Sequence, residues 1–266
     1  MEGAVWLATS TSLLTDGEGK KIGALAIFQD ITEIKALEER LRQADRLAAL
    51  GTFSAGLAHE IKNPLSAIKT FVQLLPQKGA NPPFMEKFNI TVPREIDRIN
   101  NLVEDLLALT RRKTRPFVNL DSNSVIMQVM DLHGEEMKKK QIIVEDHLDS
   151  TIPTILGDSE TLYRAFSNVV INSIQAMPNG GKLTISSEHD RLSSTVKITF
   201  KDTGIGMDKE TLKNLFNPFF TTKDKGSGLG MTLTHKIVED HQGAIGVMSE
   251  EGKGTTIVVG LPVVKF

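Results

Sequence analysis

A chain of 266 residues that is 40% hydrophobic and 24% charged has the make-up of a soluble globular protein, and it is long enough for more than one domain. A formal net charge of −2 with no strongly basic run gives no reason to expect a nucleic-acid surface, and one Trp and one Tyr leave no stacking platform for single strands. There is no cysteine, which excludes disulfides and thiol chemistry and fits a reducing cytoplasm, and no run approaches the roughly 20 apolar residues of a membrane span.

The opening MEGAVWLATSTS lacks the basic start and apolar run of a signal peptide. Residues 5–28 read as two strands, VWLATSTSLL and KKIGALAIF, joined by the turn TDGEG. A lone hairpin is not stable by itself, so residues 1–30 are expected to be the tail of a larger sensor module. Asp30 can cap the helix that follows, with Glu33 in the capping-box position. From there apolar residues recur at threes and fours, from Ile34 and Leu37 through Leu57, Ile61, Leu65, Ile68 and Val72 to Leu75. Pro76 and KGANPP are expected to end this helix. A second stripe, Val92, Ile96, Ile99, Val103 and Leu106, marks another helix that closes near RRKTRP, with Pro93 obscuring its start. Two long helices with a narrow stripe each cannot build a core alone, so residues 31–115 imply a helical hairpin that dimerises into a four-helix bundle.

Residues 116–266 read as α/β, with helical patterns at 122–140, 159–177 and 228–241. Strand-like runs lie at 142–146, 182–188, 195–201, 244–249 and 255–261. Strands clustered late, with helices before and between them, predict an α/β sandwich with its helices on one face. The expected fold is therefore α+β and multidomain: the hairpin, then the sandwich.

Within the first helix, GLAHEIKNPLSAI sets His59 beside Glu60, with Asn63 and Pro64 a turn later. Taking Leu57 and Ile61 as the buried direction, about 100° per residue turns His59 outward, with Asn63 near the same side and Glu60 on the flank. A lone exposed histidine is usually solvated and without a role. Pro64, however, removes the amide hydrogen that the Glu60 carbonyl would have accepted, at a cost of about 3 kcal/mol in a helix interior. Such a loss under a His-Glu pair suggests a bend with a purpose. AHEIKNPL resembles the phosphoacceptor box of the bacterial sensor histidine kinases. The resemblance implies that His59 is phosphorylated from ATP, that Glu60 is its acid/base partner, and that Asn63 positions water when a response regulator is dephosphorylated.

Such a kinase needs a nucleotide site, and four further segments offer one. Asn168 and Asn172, in NVVINSIQAM, share one helix face; they are either ordinary hydrogen-bonding amides or neutral oxygen ligands aimed at a phosphate-bound metal. KDTGIGM brings Asp202, whose carboxylate can accept from the amino group of adenine, with Gly204 and Gly206 letting the backbone approach a flat ring. GSGLGM (Gly226, Gly228, Leu229, Gly230) leaves backbone amides free at a helix N-terminus, where phosphate charge is favoured. GKGTT is a tight turn in which Thr255 can add a hydroxyl near the phosphates. Between the glycine segments, NPFFTTKDK holds Phe219, Phe220, Lys223 and Lys225, and reads as a mobile lid or as a plain loop with tucked-in aromatics.

In their order these segments resemble the asparagine, glycine and phenylalanine boxes of the histidine-kinase ATP-binding domain, most closely the nitrogen-regulatory type. The resemblance implies Asn172 as a Mg²⁺ ligand, Asn168 beside the phosphates, Asp202 at adenine and Lys223 as a contact for the terminal phosphate. It also implies ATP and Mg²⁺ as cofactors, a homodimer, and a response-regulator receiver domain as partner. Residues 1–30 resemble the last strands of a PAS sensor domain. Two rivals remain at this point: a conformational ATPase of the gyrase or Hsp90 type, and a non-catalytic scaffold. The ATPases carry a glutamate where this chain has Asn168, and an amide is no general base at neutral pH.

Overall fold

The computed structural model describes residues 5–110, 116–223 and 226–264; at 35, 36, 38–55, 57, 59 and 108–110 the backbone alone is described. The expected positions Lys225 and RRKTR (111–115) lie outside these residues. Two compact units emerge, Met1–Ala55 and Gly56–Phe266.

In the first unit, β1 (Leu7–Thr15) and β2 (Lys21–Asp30) pair antiparallel from Leu7↔Asp30 to Thr15↔Lys21. The hairpin is tied to the start of α1 (Thr32–Lys78), because the Thr32 hydroxyl accepts from the Trp6 amide at 2.9 Å. Asp30 accepts from the Thr32 amide at 2.8 Å, as a residue ahead of a helix N-terminus should. Both hairpin faces are exposed, Trp6, Ile22 and Phe28 among them.

α1 runs past Pro76 to Lys78, ending at the start of the expected KGANPP stop. A proline in the last turn costs one hydrogen bond only, and the Gly79 amide still donates to the Leu75 carbonyl at 2.8 Å. α2 (Pro82–Thr110) begins ten residues before the Val92 stripe, with Asn81 accepting from the Phe84 amide, and it carries Pro93 inside. Phe71 of α1 packs on Phe84 and Phe88 of α2, with ring centroids 5.7 and 6.2 Å away.

The second unit continues with a mixed five-stranded sheet in the order β4-β6-β7-β9-β8: β4 (Ile142–Leu148), β6 (Gly181–Asp190), β7 (Thr195–Asp202), β9 (Gly254–Pro262) and β8 (Ala244–Glu250). Only β4 and β6 run parallel. Alternate residues of β6, β7 and β9 (Leu183, Ile185, Val196, Ile198, Phe200, Ile257, Val259) are buried, so one face meets the apolar sides of three helices. These are α3 (Ser122–Lys139), α4 (Ser159–Ala176) and α6 (Gly230–Asp240). This is the expected sandwich.

Three short elements went unpredicted: β3 (Val118–Leu120), its antiparallel partner β5 (Ile155–Gly157), and α5 (Lys209–Asn214), capped by Asp208. No helix among the described residues is long and apolar enough to cross a membrane.

Candidate functional site

The AHEIKNPL segment lies in α1, with the helix unbroken through Pro64. Pro64 is buried, whereas Leu65 and Val72 are each 51% exposed in the single chain. The side of α1 that meets α2 is thus offset from the Leu57–Ile61 direction used above. Glu60 points towards α2, where its Oε2 accepts from Arg98 Nη2 at 3.0 Å. Asn63 is exposed. His59 is helical, and its side chain lies outside the described residues.

The asparagine, glycine and Thr255 segments converge around α4 and the end of β7. α4 puts Asn168, Asn172, Ser173 and Gln175 on neighbouring turns, while its opposite face (Val169, Val170, Ile174) fills the core. β7 ends in Asp202, which is only 5% exposed. Its Oδ1 accepts from the amides of Gly204 at 2.9 Å and Thr255 at 3.2 Å, and its Oδ2 from the Ser173 hydroxyl at 3.1 Å. Burial pushes the Asp202 carboxyl above the usual carboxylate range; those three bonds pull the other way. Oδ1, with two donors, is filled, and Oδ2 keeps lone-pair capacity for one more donor.

Thr255 is therefore placed at the carboxylate, not with the asparagines. Its hydroxyl pairs with Ser249 Oγ at 2.9 Å. Ser173, which holds Asp202 from α4, carries no sequence signal of its own; its role depends on the packing of α4 against β7.

Gly204 abuts α4, since a Cβ would meet Ala176 at 2.7 Å. Gly206 has φ +67°, and a Cβ there would strike the Glu250 carbonyl at 2.0 Å. Gly228 has φ +65° and presses on the Phe219 backbone, while Gly226 faces the Thr221 hydroxyl. Leu229 is buried just ahead of α6, and Gly230 opens that helix. The Asn168 amide donates from Nδ2 to the Gly230 carbonyl at 3.2 Å, joining α4 to the glycine-rich segment.

Lys223 donates to Asn172 Oδ1 at 2.6 Å and to Gln175 Oε1 at 2.5 Å. Burial first, and then the nearby Lys140, hold this lysine below its usual value. Gln175, three residues on from Asn172 along the same helix, was not foreseen; its role depends on the approach of Lys223 from 48 residues away. Phe219 sits at φ +62°, unusual for an aromatic residue, with its amide bonded to the Gly228 carbonyl at 3.1 Å. Its ring lies against Gly56 of α1, where an added Cβ would be 3.1 Å away.

The residues present fit an adenine nucleotide with a divalent cation. A buried carboxylate with spare acceptor capacity suits an amino-bearing base, and two neutral carboxamide oxygens already hold a cationic group. Among the described residues no group of three or more His, Cys, Asp or Glu could hold a metal by itself.

Comparison with known proteins agrees with this geometry. Residues 49–115 match the His Kinase A (phospho-acceptor) domain, and residues 157–265 match the histidine kinase-, DNA gyrase B- and HSP90-like ATPase family. Sporulation kinase E of Bacillus subtilis (strain 168) is 39% identical over 90% of this chain and 32% of its own length. The signal transduction histidine-protein kinase AtoS of Escherichia coli (strain K12) is 36% identical over 97% of this chain and 42% of its own. The chain thus spans less than half the length of these two relatives. The catalytic domain of histidine kinase ThkA is 30% identical over 56% of this chain and 98% of that one, with a TM-score of 0.51. ThkA solved in complex with the response regulator protein TrrA is 25% identical over 98% of this chain and 79% of that one, with a TM-score of 0.75. The chain belongs to the two-component sensor histidine kinases.

Proposed function

We propose that this chain is the phosphotransfer core of its protein: His59 takes the γ-phosphoryl group of ATP and passes it to an aspartate on a response-regulator receiver domain. The observation that favours this over steady ATP hydrolysis is the Asn168–Gly230 bond, in which the side chain acts as a donor. A carboxylate could not make that bond, and an amide cannot activate water as a base.

ATP lies with its base at Asp202 and its phosphates between α4 and the Phe219–Gly230 segment. Lys223 contacts the terminal phosphate, and the free amides at the start of α6 face the phosphate charge. The described residues 217–223 are the lid over the site. Asn172 would hold Mg²⁺, which when bound would supply positive charge to offset that of the phosphates. A ring nitrogen of His59 attacks the γ-phosphorus as the bond to the β,γ-bridging oxygen breaks and ADP leaves. Glu60 orients the ring and takes its proton, so the work is mainly positioning.

The phosphoramidate bond then breaks as the regulator's aspartate carboxylate attacks phosphorus. The TrrA complex of ThkA supports a receiver as partner. Asn63, exposed on α1, positions water in a separate reaction, hydrolysis of the regulator's aspartyl phosphate to free aspartate and inorganic phosphate. Leu65, Val72, Ile96 and Val103, all left exposed in one chain, form the seam of a homodimeric four-helix bundle. The domain limits follow the same reading: a sensor tail at 1–30, the phosphoacceptor hairpin at 31–115 and the ATP-binding domain at 116–266.

Incubation with γ-labelled ATP and Mg²⁺ tests the proposal. The protein should acquire label that acid removes and alkali does not. Release of all label as inorganic phosphate, with none held on protein, would favour the hydrolysing ATPase instead.

A further inference from the structure

Glu60 does not face solvent alone. Arg98, on the neighbouring helix α2, reaches across the hairpin and donates from Nη2 to Glu60 Oε2 at 3.0 Å. Its other terminal nitrogen, Nη1, lies 3.9 Å from Oε2 of Glu95, one turn back on its own helix. The guanidinium therefore sits between two carboxylates, and all three side chains are largely removed from water, at 21%, 19% and 14% exposure for Arg98, Glu60 and Glu95. In this pose the Arg98 Nε–H is buried and makes no hydrogen bond among the described residues. An arginine free to choose would swing outward and hydrate that group. The pose is held by the carboxylates, at the expense of one donor.

We infer that Arg98 is a positioning residue for phosphoryl transfer, holding the Glu60 carboxylate in the orientation that serves the ring of the preceding residue, His59. This rests on the proposed roles of His59 and Glu60. Adjacent residues of a helix project about 100° apart, so a free glutamate at position 60 would spread over many rotamers that miss the ring. A planar guanidinium that engages one oxygen removes that freedom and leaves Oε1 to accept the proton given up by His59. Arg98 exchanges no proton itself.

The test is a double-mutant cycle on the whole chain, read as the initial rate of autophosphorylation with saturating Mg-ATP. Arg98→Ala should lower the rate about 10²-fold, the scale of a misplaced catalytic group, with the KM for ATP unchanged. Arg98→Lys keeps a point charge but not the fork, so it should recover part of the loss. In the Glu60→Gln background, Arg98→Ala should cost little more, because the group it positions is already gone. A wild-type rate in Arg98→Ala overturns the inference. So do losses that multiply in the double variant, or Arg98→Lys no better than Arg98→Ala. If Arg98→Ala fails to fold, Arg98→Lys with and without Glu60→Gln gives the same comparison. If the wild-type chain takes no label at all, the functional reading falls and this inference with it, an outcome distinct from failure at Arg98 alone.

Discussion

Lys223 and Asn172, 51 residues apart, meet at 2.6 Å, with the lysine ammonium on the oxygen assigned to the metal. The cationic character of the site is thus built into the chain, and Gln175 supplies the second oxygen. If Lys223 contacts the terminal phosphate, Lys223→Ala should weaken ATP binding about tenfold and leave ADP binding nearly unchanged. Calorimetry with both nucleotides checks this; equal losses for ATP and ADP would place Lys223 elsewhere.

Asp202 sets stability against function. Burial raises its folded-state value above the unfolded one. Between the two values the folded chain binds a proton that the unfolded chain does not, so this contribution is present at low pH and is lost as pH rises through the folded value. At neutral pH the buried carboxylate is a cost. Asp202→Asn should melt at or above the wild-type temperature near neutrality, with the advantage shrinking on acidification. Its amide nitrogen would face the base amino group, so ATP affinity should fall about 10- to 100-fold. Melting curves against pH, alongside nucleotide titration, decide both halves.

The glycines of GSGLGM are not equivalent. Gly228 combines φ +65° with a Cβ position 2.4 Å from the Phe219 backbone, whereas a Cβ at Gly230 would rest 3.5 Å from Asn168, an ordinary contact. Gly228→Ala should abolish ATP binding, and Gly230→Ala should change it less than about threefold. Fluorescent-nucleotide titration of the two variants would show the contrast; equal effects would contradict it.

Val72 is half exposed on one chain, as are Leu65 and Ile96. A lysine at position 72 would place a charge in the helix seam, so Val72→Lys should shift the chain from dimer to monomer in sedimentation at micromolar concentration. An unchanged dimer would move the interface to another face.

Much of this could be read from periodicity. The α4 and α6 helices, the late strands and the hairpin all follow from apolar spacing, which burial enforces. Other features were not legible. β3, β5 and α5 are too short to carry a period. Asn168, Asn172, Asp202 and the glycines carry local signatures, so the sequence alone offers them as candidates. Ser173, Gln175 and Arg98 carry none, because their partners lie 29, 48 and 38 residues away and only the tertiary fold brings them together. Glu60, expected on the flank of α1, meets Arg98 of α2, a partner that no local pattern could name.

The central claim is that one imidazole receives the phosphoryl group. Labelling wild type and His59→Gln with γ-labelled ATP, with nucleotide binding measured on both, tests it directly. The account predicts equal ATP affinity and complete loss of protein-bound label in the variant. Label on His59→Gln at the wild-type level would contradict it.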